Sequence, residues 1–201
     1  MRILTSKRSF RNQVSRAFQS VFQRRLVKLS KELNTYLSTN ISKWVYDSPE
    51  IQSIVNREVL YGELGIPPDM VNDAVEDILN ACKNTVTTQI NKKPFGIGGI
   101  DILVFPDLTS LINLPTGQFL SNGNKIEWLK ALLTSGDSVI VKNYHFMEKD
   151  AGRTGKGIMV KGGLWRVPPE YSGTIESNFI TRSIDSAQTE IEQFMIGKLN
   201  A

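Results

Sequence analysis

Few side chains in this sequence have the type and spacing that chemistry requires. Gly152-Arg153-Thr154-Gly155-Lys156-Gly157 approaches a phosphate-binding loop, yet Asp150 stands where that pattern needs its first glycine and Gly157 where it needs Ser or Thr. Arg153 and Lys156 are therefore read as a basic hairpin tip, either gripping a partner or solvated. His145 is the only histidine and Cys82 the only cysteine, so the usual zinc set and the usual base-activated nucleophile lack their members. No G-x-S-x-G elbow occurs, and Glu190 and Glu192 sit on an ordinary helical pattern whose default is a solvated face. The cluster Gly96-Ile97-Gly98-Gly99 is followed by a β-prone run, whereas a phosphate cradle needs a helix there. The reading is a protein with no catalytic residues, no cofactor and no metal.

The strongest pattern lies at the start of the chain. Phe10, Val14, Phe18, Val21, Phe22, Leu26, Leu29, Leu33, Leu37, Ile41 and Trp44 recur at steps that are nearly all three or four, which is the helical period. Arg8, Arg11, Arg16, Arg24 and Arg25 fall mostly between them, giving one apolar and one cationic face. A helix over residues 6–46 runs about 60 Å, longer than a compact domain of this size covers, so part of it projects or packs on another subunit. Ser48-Pro49 ends it. Several readings of this arm stay open on the residues alone: a solvated amphipathic face, a targeting presequence, a membrane-surface helix, or a contact helix for assembly or nucleic acid.

Residues 49–61 read as a shorter, mixed helical segment, and Gly62-Glu63-Leu64-Gly65-Ile66-Pro67-Pro68 as a break. Pro68 suits a first helical residue with Asp69 in the opening turn, and Met70, Val71, Ala74, Val75, Ile78, Leu79 and Cys82 form one apolar face. Cys82 on that face is core filler. Residues 86–90 and 100–105 read as strands, and residues 125–134 as a helix ended by Gly136. Residues 139–146 and 158–160 read as a strand and a hairpin partner, Gly162-Gly163 as a turn, and residues 164–167 as a further strand stopped by Pro168-Pro169. A last helix capped by Ser177 carries Phe179, Ile180, Ile184, Ala187, Ile191, Phe194 and Met195 inward. The order predicts an α+β fold: a long N-terminal amphipathic helix, further helices, an antiparallel sheet with hairpins and a C-terminal helix. Two units are expected, a basic helical arm at 1–46 and an α+β body at 47–201.

The chain has 201 residues, 40% apolar and 22% charged, which excludes collagen-like, mucin-like and wholly disordered classes. No run approaches a membrane span, and a lone cysteine argues for a reducing compartment or indifference to redox. The net charge of +4 conceals an asymmetry: residues 1–46 carry ten bases and one acid, hence +9, and the rest is −5. Such an arm suits a negatively charged partner, either nucleic acid or an acidic protein surface, including that of another copy.

The stretch from Trp128-Leu129 through Gly136-Asp137, Gly152-Arg153-Thr154-Gly155 and Met159-Val160 to Gly163-Leu164-Trp165-Arg166-Val167-Pro168-Pro169-Glu170-Tyr171-Ser172-Gly173-Thr174, and then Asn178-Phe179-Ile180-Thr181-Arg182-Ser183-Ile184, resembles the neck proteins of tailed bacteriophages, in particular the tail-completion group. The run W-R-V-P-P-x-x-[SA]-G-T … N-F-[IL]-T-R-[SA]-I is its most specific part, and the likeness spans about residues 60 to 185. The resemblance implies a non-enzymatic virion component at the head–tail junction, assembled in the host cytoplasm. It implies a homo-oligomeric ring, six- or twelve-fold, around the DNA channel. The implied partners are other neck, portal and tail-terminator or tail-tube proteins and double-stranded DNA, with no membrane. In that setting Trp165, Tyr171, Phe179 and Arg182 are core or interface anchors, and the basic helix meets channel DNA or a neighbouring subunit. The alternative, outside any virion, is a sequence-independent nucleic-acid-binding protein using the same helix.

Overall fold

The structure is a computed structural model; it describes residues 7–88, 107–121, 124–136, 138–139, 141–148, 152, 155 and 157–200, with side chains from Arg24 onward except at 121, 124, 141 and 200. The apolar period at the start of the chain produces α1, a helix of 40 residues from Lys7 to Tyr46. Two short helices follow, α2 (Pro49–Val55) and α3 (Val59–Leu64), then α4 (Val71–Thr85). Next come α5 (Leu108–Ile112), a 3-10 turn at Pro115–Gly117, β1 (Phe119–Ser121), β2 (Asn124–Ile126) and α6 (Trp128–Thr134). The chain continues through β3 (Val141–Met147) and β4 (Ile158–Trp165) to α7 (Phe179–Ser186) and α8 (Gln188–Asn200). The fold is α+β, and its described strands form two separate antiparallel pairs, β1 with β2 and β3 with β4.

The core is built on α1. Leu33, Leu37 and Ile41 are wholly buried, and they face α4, whose Ala74, Ile78 and Cys82 are wholly buried too. Each such leucine or isoleucine contributes about 1.5–3 kcal/mol relative to an exposed one. Two hydroxyls fix the crossing: Ser42 Oγ donates to the Leu79 carbonyl at 3.3 Å, and Ser30 Oγ lies 3.0 Å from Thr88 Oγ1. On its other sides α1 meets α7 and α8, where Tyr36 stacks on Phe194 at 4.2 Å between ring centres. From Leu26 to Val45, α1 is therefore part of the body's core.

Several boundaries differ from those the sequence suggests. Residues 49–61 are two helices because Arg57 adopts a left-handed conformation (φ 56°) between them. Pro68 lies in a turn, and α4 starts at Val71 with Asp73 in its first turn. Residues 86–88 are extended without a strand partner among the described residues; the rest of that candidate strand, the glycine cluster and the candidate strand at 100–105 lie outside them. Asn124–Ile126 pairs with Phe119–Ser121 as a strand, so the helix expected from 125 begins at Trp128. Gly162 and Gly163 do not turn the chain. Their positive φ angles (112° and 83°) let β4 pass through continuously opposite an irregularity between Lys142 and Tyr144. The last helix is two, divided at Ala187, and its cap is Asn178 where Ser177 was expected.

Candidate functional site

The end of α1, the start of α2, the loop after β4 and the face of α7 enclose a cleft of about 420 Å³. Trp44 and Phe179 give it aromatic walls, Arg182 and Glu50 sit in its side, and Asp47, Glu170 and Glu190 line its rim. Each position has a local cause. Ser48 Oγ accepts the Ile51 N–H at 3.3 Å with Pro49 opening α2, which places Glu50 in the first turn facing inward. Asn178 caps α7: its Oδ1 accepts the N–H groups of Ile180 and Thr181, while the Thr181 hydroxyl accepts the Asn178 N–H. One turn on, Arg182 reaches across to Glu50.

That ion pair is the cleft's fixed feature. Glu50 is 3% exposed, and Arg182 Nη2 donates to its Oε1 while Nη1 donates to the Ser172 carbonyl at 3.3 Å. A carboxylate this buried requires such a partner, because water cannot solvate it. The rim acids are different. Asp47, Glu170 and Glu190 are exposed and are paired with no cation among the described residues. Glu190 accepts the Trp44 indole N–H at 3.2 Å, and its charge, second to burial, holds the Tyr36 hydroxyl above its ordinary range. With Arg182 answered by Glu50, the mouth of the cleft is acidic.

A second acidic group lies nearby. The half-buried Glu63 is pushed up to about 7, first by burial, then by the charges of Glu170 and Glu148. Its Oε2 has no hydrogen-bond partner among the described residues. A smaller cavity of about 290 Å³ opens beside it between Glu58, Val59, Gly62, Phe146 and Glu148. Among the described residues, no three His, Cys, Asp or Glu side chains are placed to hold a metal ion. No helix among them is long and apolar enough to cross a membrane.

The sequence-singled residues divide clearly. Trp165 and Phe179 are buried core members and Tyr171 packs half-buried against the core, so these three do not form a ligand cage. Arg182 is the ion-pair member just described. Arg24 and Arg25 are exposed on α1. Arg8, Arg11 and Arg16 lie on the same helix, with side chains outside the described residues, as are Arg153 and Lys156 altogether. His145 is exposed on β3 with Nδ1 2.7 Å from the Gly162 carbonyl oxygen, tying the ring to the irregular strand pair. Cys82 is wholly buried and its thiol pushed up to about 12 by burial, which makes it inert.

The run from Trp165 to Ile184 works as a clamp between elements. Val167 and Pro168 are buried, and Pro168 turns the chain with its carbonyl accepting the Tyr171 and Ser172 N–H groups. The Gly173 carbonyl accepts the Gly136 N–H at 2.8 Å, tying this loop to the end of α6. A side chain at Gly173 would stand 2.7 Å from the Leu132 carbonyl oxygen, so the close approach of loop and helix requires glycine. Comparison of the chain with family models, curated proteins and solved structures finds no match.

Proposed function

We propose that this chain is a non-enzymatic structural component of a tailed-phage neck, forming an oligomeric ring between the portal assembly and the tail around the DNA channel. The observation that supports the reading is the division of α1. Its second half, from Leu26 onward, is built into the body, while Lys7, Arg8, Arg11, Arg16, Arg24 and Arg25 lie along its first half with no acid among them. A rod anchored at one end in a folded body and cationic at the other is suited to reach a neighbour or a polyanion. The clamp formed by residues 165–184 supports the same reading, since the residues that carry the phage-neck resemblance hold elements together.

Partners under this reading are further copies of the chain, portal and tail-terminator or tail-tube proteins, and channel DNA held without sequence readout. The exposed Arg24 and Arg25 favour one second reading, a nucleic-acid-binding protein that acts outside a virion. Electron microscopy of the purified full-length chain separates the two. Annular particles of one copy number are expected; a dispersed species that binds duplex DNA with steep salt dependence would replace the connector reading with the second.

A further inference from the structure

The two charged ends of the molecule cannot meet within one chain. The acidic cleft lies where α1 ends, beside Trp44 and Asp47, while Arg8, Arg11 and Arg16 lie near its start. Along one continuous helix at 1.5 Å per residue, about 40 to 55 Å separates them. The cation-rich end therefore has no access to its own chain's cleft. The cleft in turn has three exposed acids at its mouth, and its single base, Arg182, is already answered by Glu50.

We propose that the cleft seats the basic first half of α1 from a second copy of this chain, with arginine side chains entering between Asp47, Glu170 and Glu190. The inference rests on the connector reading and deepens it by naming the contact. Two unlike patches at opposite ends of a rod give a head-to-tail interface, which closes into a ring or continues as a filament according to the rotation between neighbours. Because the pairs lie at an open mouth, the contact weakens as salt screens it.

The test uses a labelled peptide of residues 1–23 and the full chain carrying Arg8→Glu, Arg11→Glu and Arg16→Glu, whose cleft is free whether or not the native chain assembles. Peptide binding by fluorescence anisotropy is expected, weaker at higher salt. It is expected to fall at least tenfold when Asp47→Lys and Glu170→Lys are added; both side chains are exposed, and thermal melts confirm folding. Glu190 is kept because the Trp44 indole donates to it. No binding, or binding indifferent to the two lysines, overturns the proposal. Its failure is distinguishable from that of the connector reading: rings that form with the cleft reversed sink the contact alone, whereas chains that join through the cleft only into open filaments sink the ring alone.

Discussion

At the scale of single residues, the pair Glu50–Arg182 joins a buried carboxylate to a half-exposed guanidinium. Removing the guanidinium strands a carboxylate that is 3% exposed. Arg182→Ala is expected to cost about 3 kcal/mol in chemical denaturation, and the double replacement Glu50→Leu with Arg182→Leu to recover much of it. Equal losses in the single and double variants would show that the pair is not the source. Glu63 makes the opposite kind of statement. Its folded carboxyl keeps the proton up to about 7, whereas the unfolded one releases it near the ordinary value of 4.5. The folded state therefore binds the extra proton between those values, and this group's contribution to stability falls as pH rises through the window. Glu63→Gln removes the penalty. Since the side chain is half-buried and screened, we expect a gain of about 1 kcal/mol, or about 2–4 °C in Tm, at pH 8 and little change at pH 4.5. A gain of equal size at both pH values would point to packing in place of charge.

At the scale of elements, the long helix and α4 were legible because an apolar repeat of three and four residues has one folded meaning once it persists for several turns. The breaks were harder to read. Arg57 in a left-handed conformation is a non-glycine turn that no residue type announces, and Gly162-Gly163 reads as a turn unless the partner strand is known to be irregular there. The cleft was half legible: Arg182 stood out, but Glu50 lies 132 positions away with no local sign of the pairing. The rim acids likewise become one feature only when α1, the loop after β4, and α8 converge. Two substitutions test the elements. Gly173→Ala is expected to cost about 1–3 kcal/mol, because the added methyl would meet the Leu132 carbonyl oxygen at 2.7 Å and Asn178 Cβ at 2.8 Å. On α1, charge should act differently along the rod. Leu29 is 5% exposed, so Leu29→Asp is expected to destabilise the body by about 3 kcal/mol, as a buried unpaired charge does. Phe22→Asp, on the cation-rich first half of the helix, is expected to block assembly while leaving the melting temperature near that of the native chain. Equal melting temperatures for the two variants would contradict the division of the helix.

At the scale of the whole molecule, the charge asymmetry and the length of α1 belong to one argument. Seven of the ten bases in residues 1–46 precede Leu26 with no acid among them, and the straight helix holds those seven away from the acidic cleft at its other end. Under the proposed contact, neighbouring copies satisfy both. The most direct measurement is the molar mass of the purified full-length chain by light scattering, over a concentration series at low and moderate salt. The account predicts one closed species at six or twelve times the mass of the chain, giving way to smaller species as salt rises. The mass of a single chain at every concentration in both salts would contradict it.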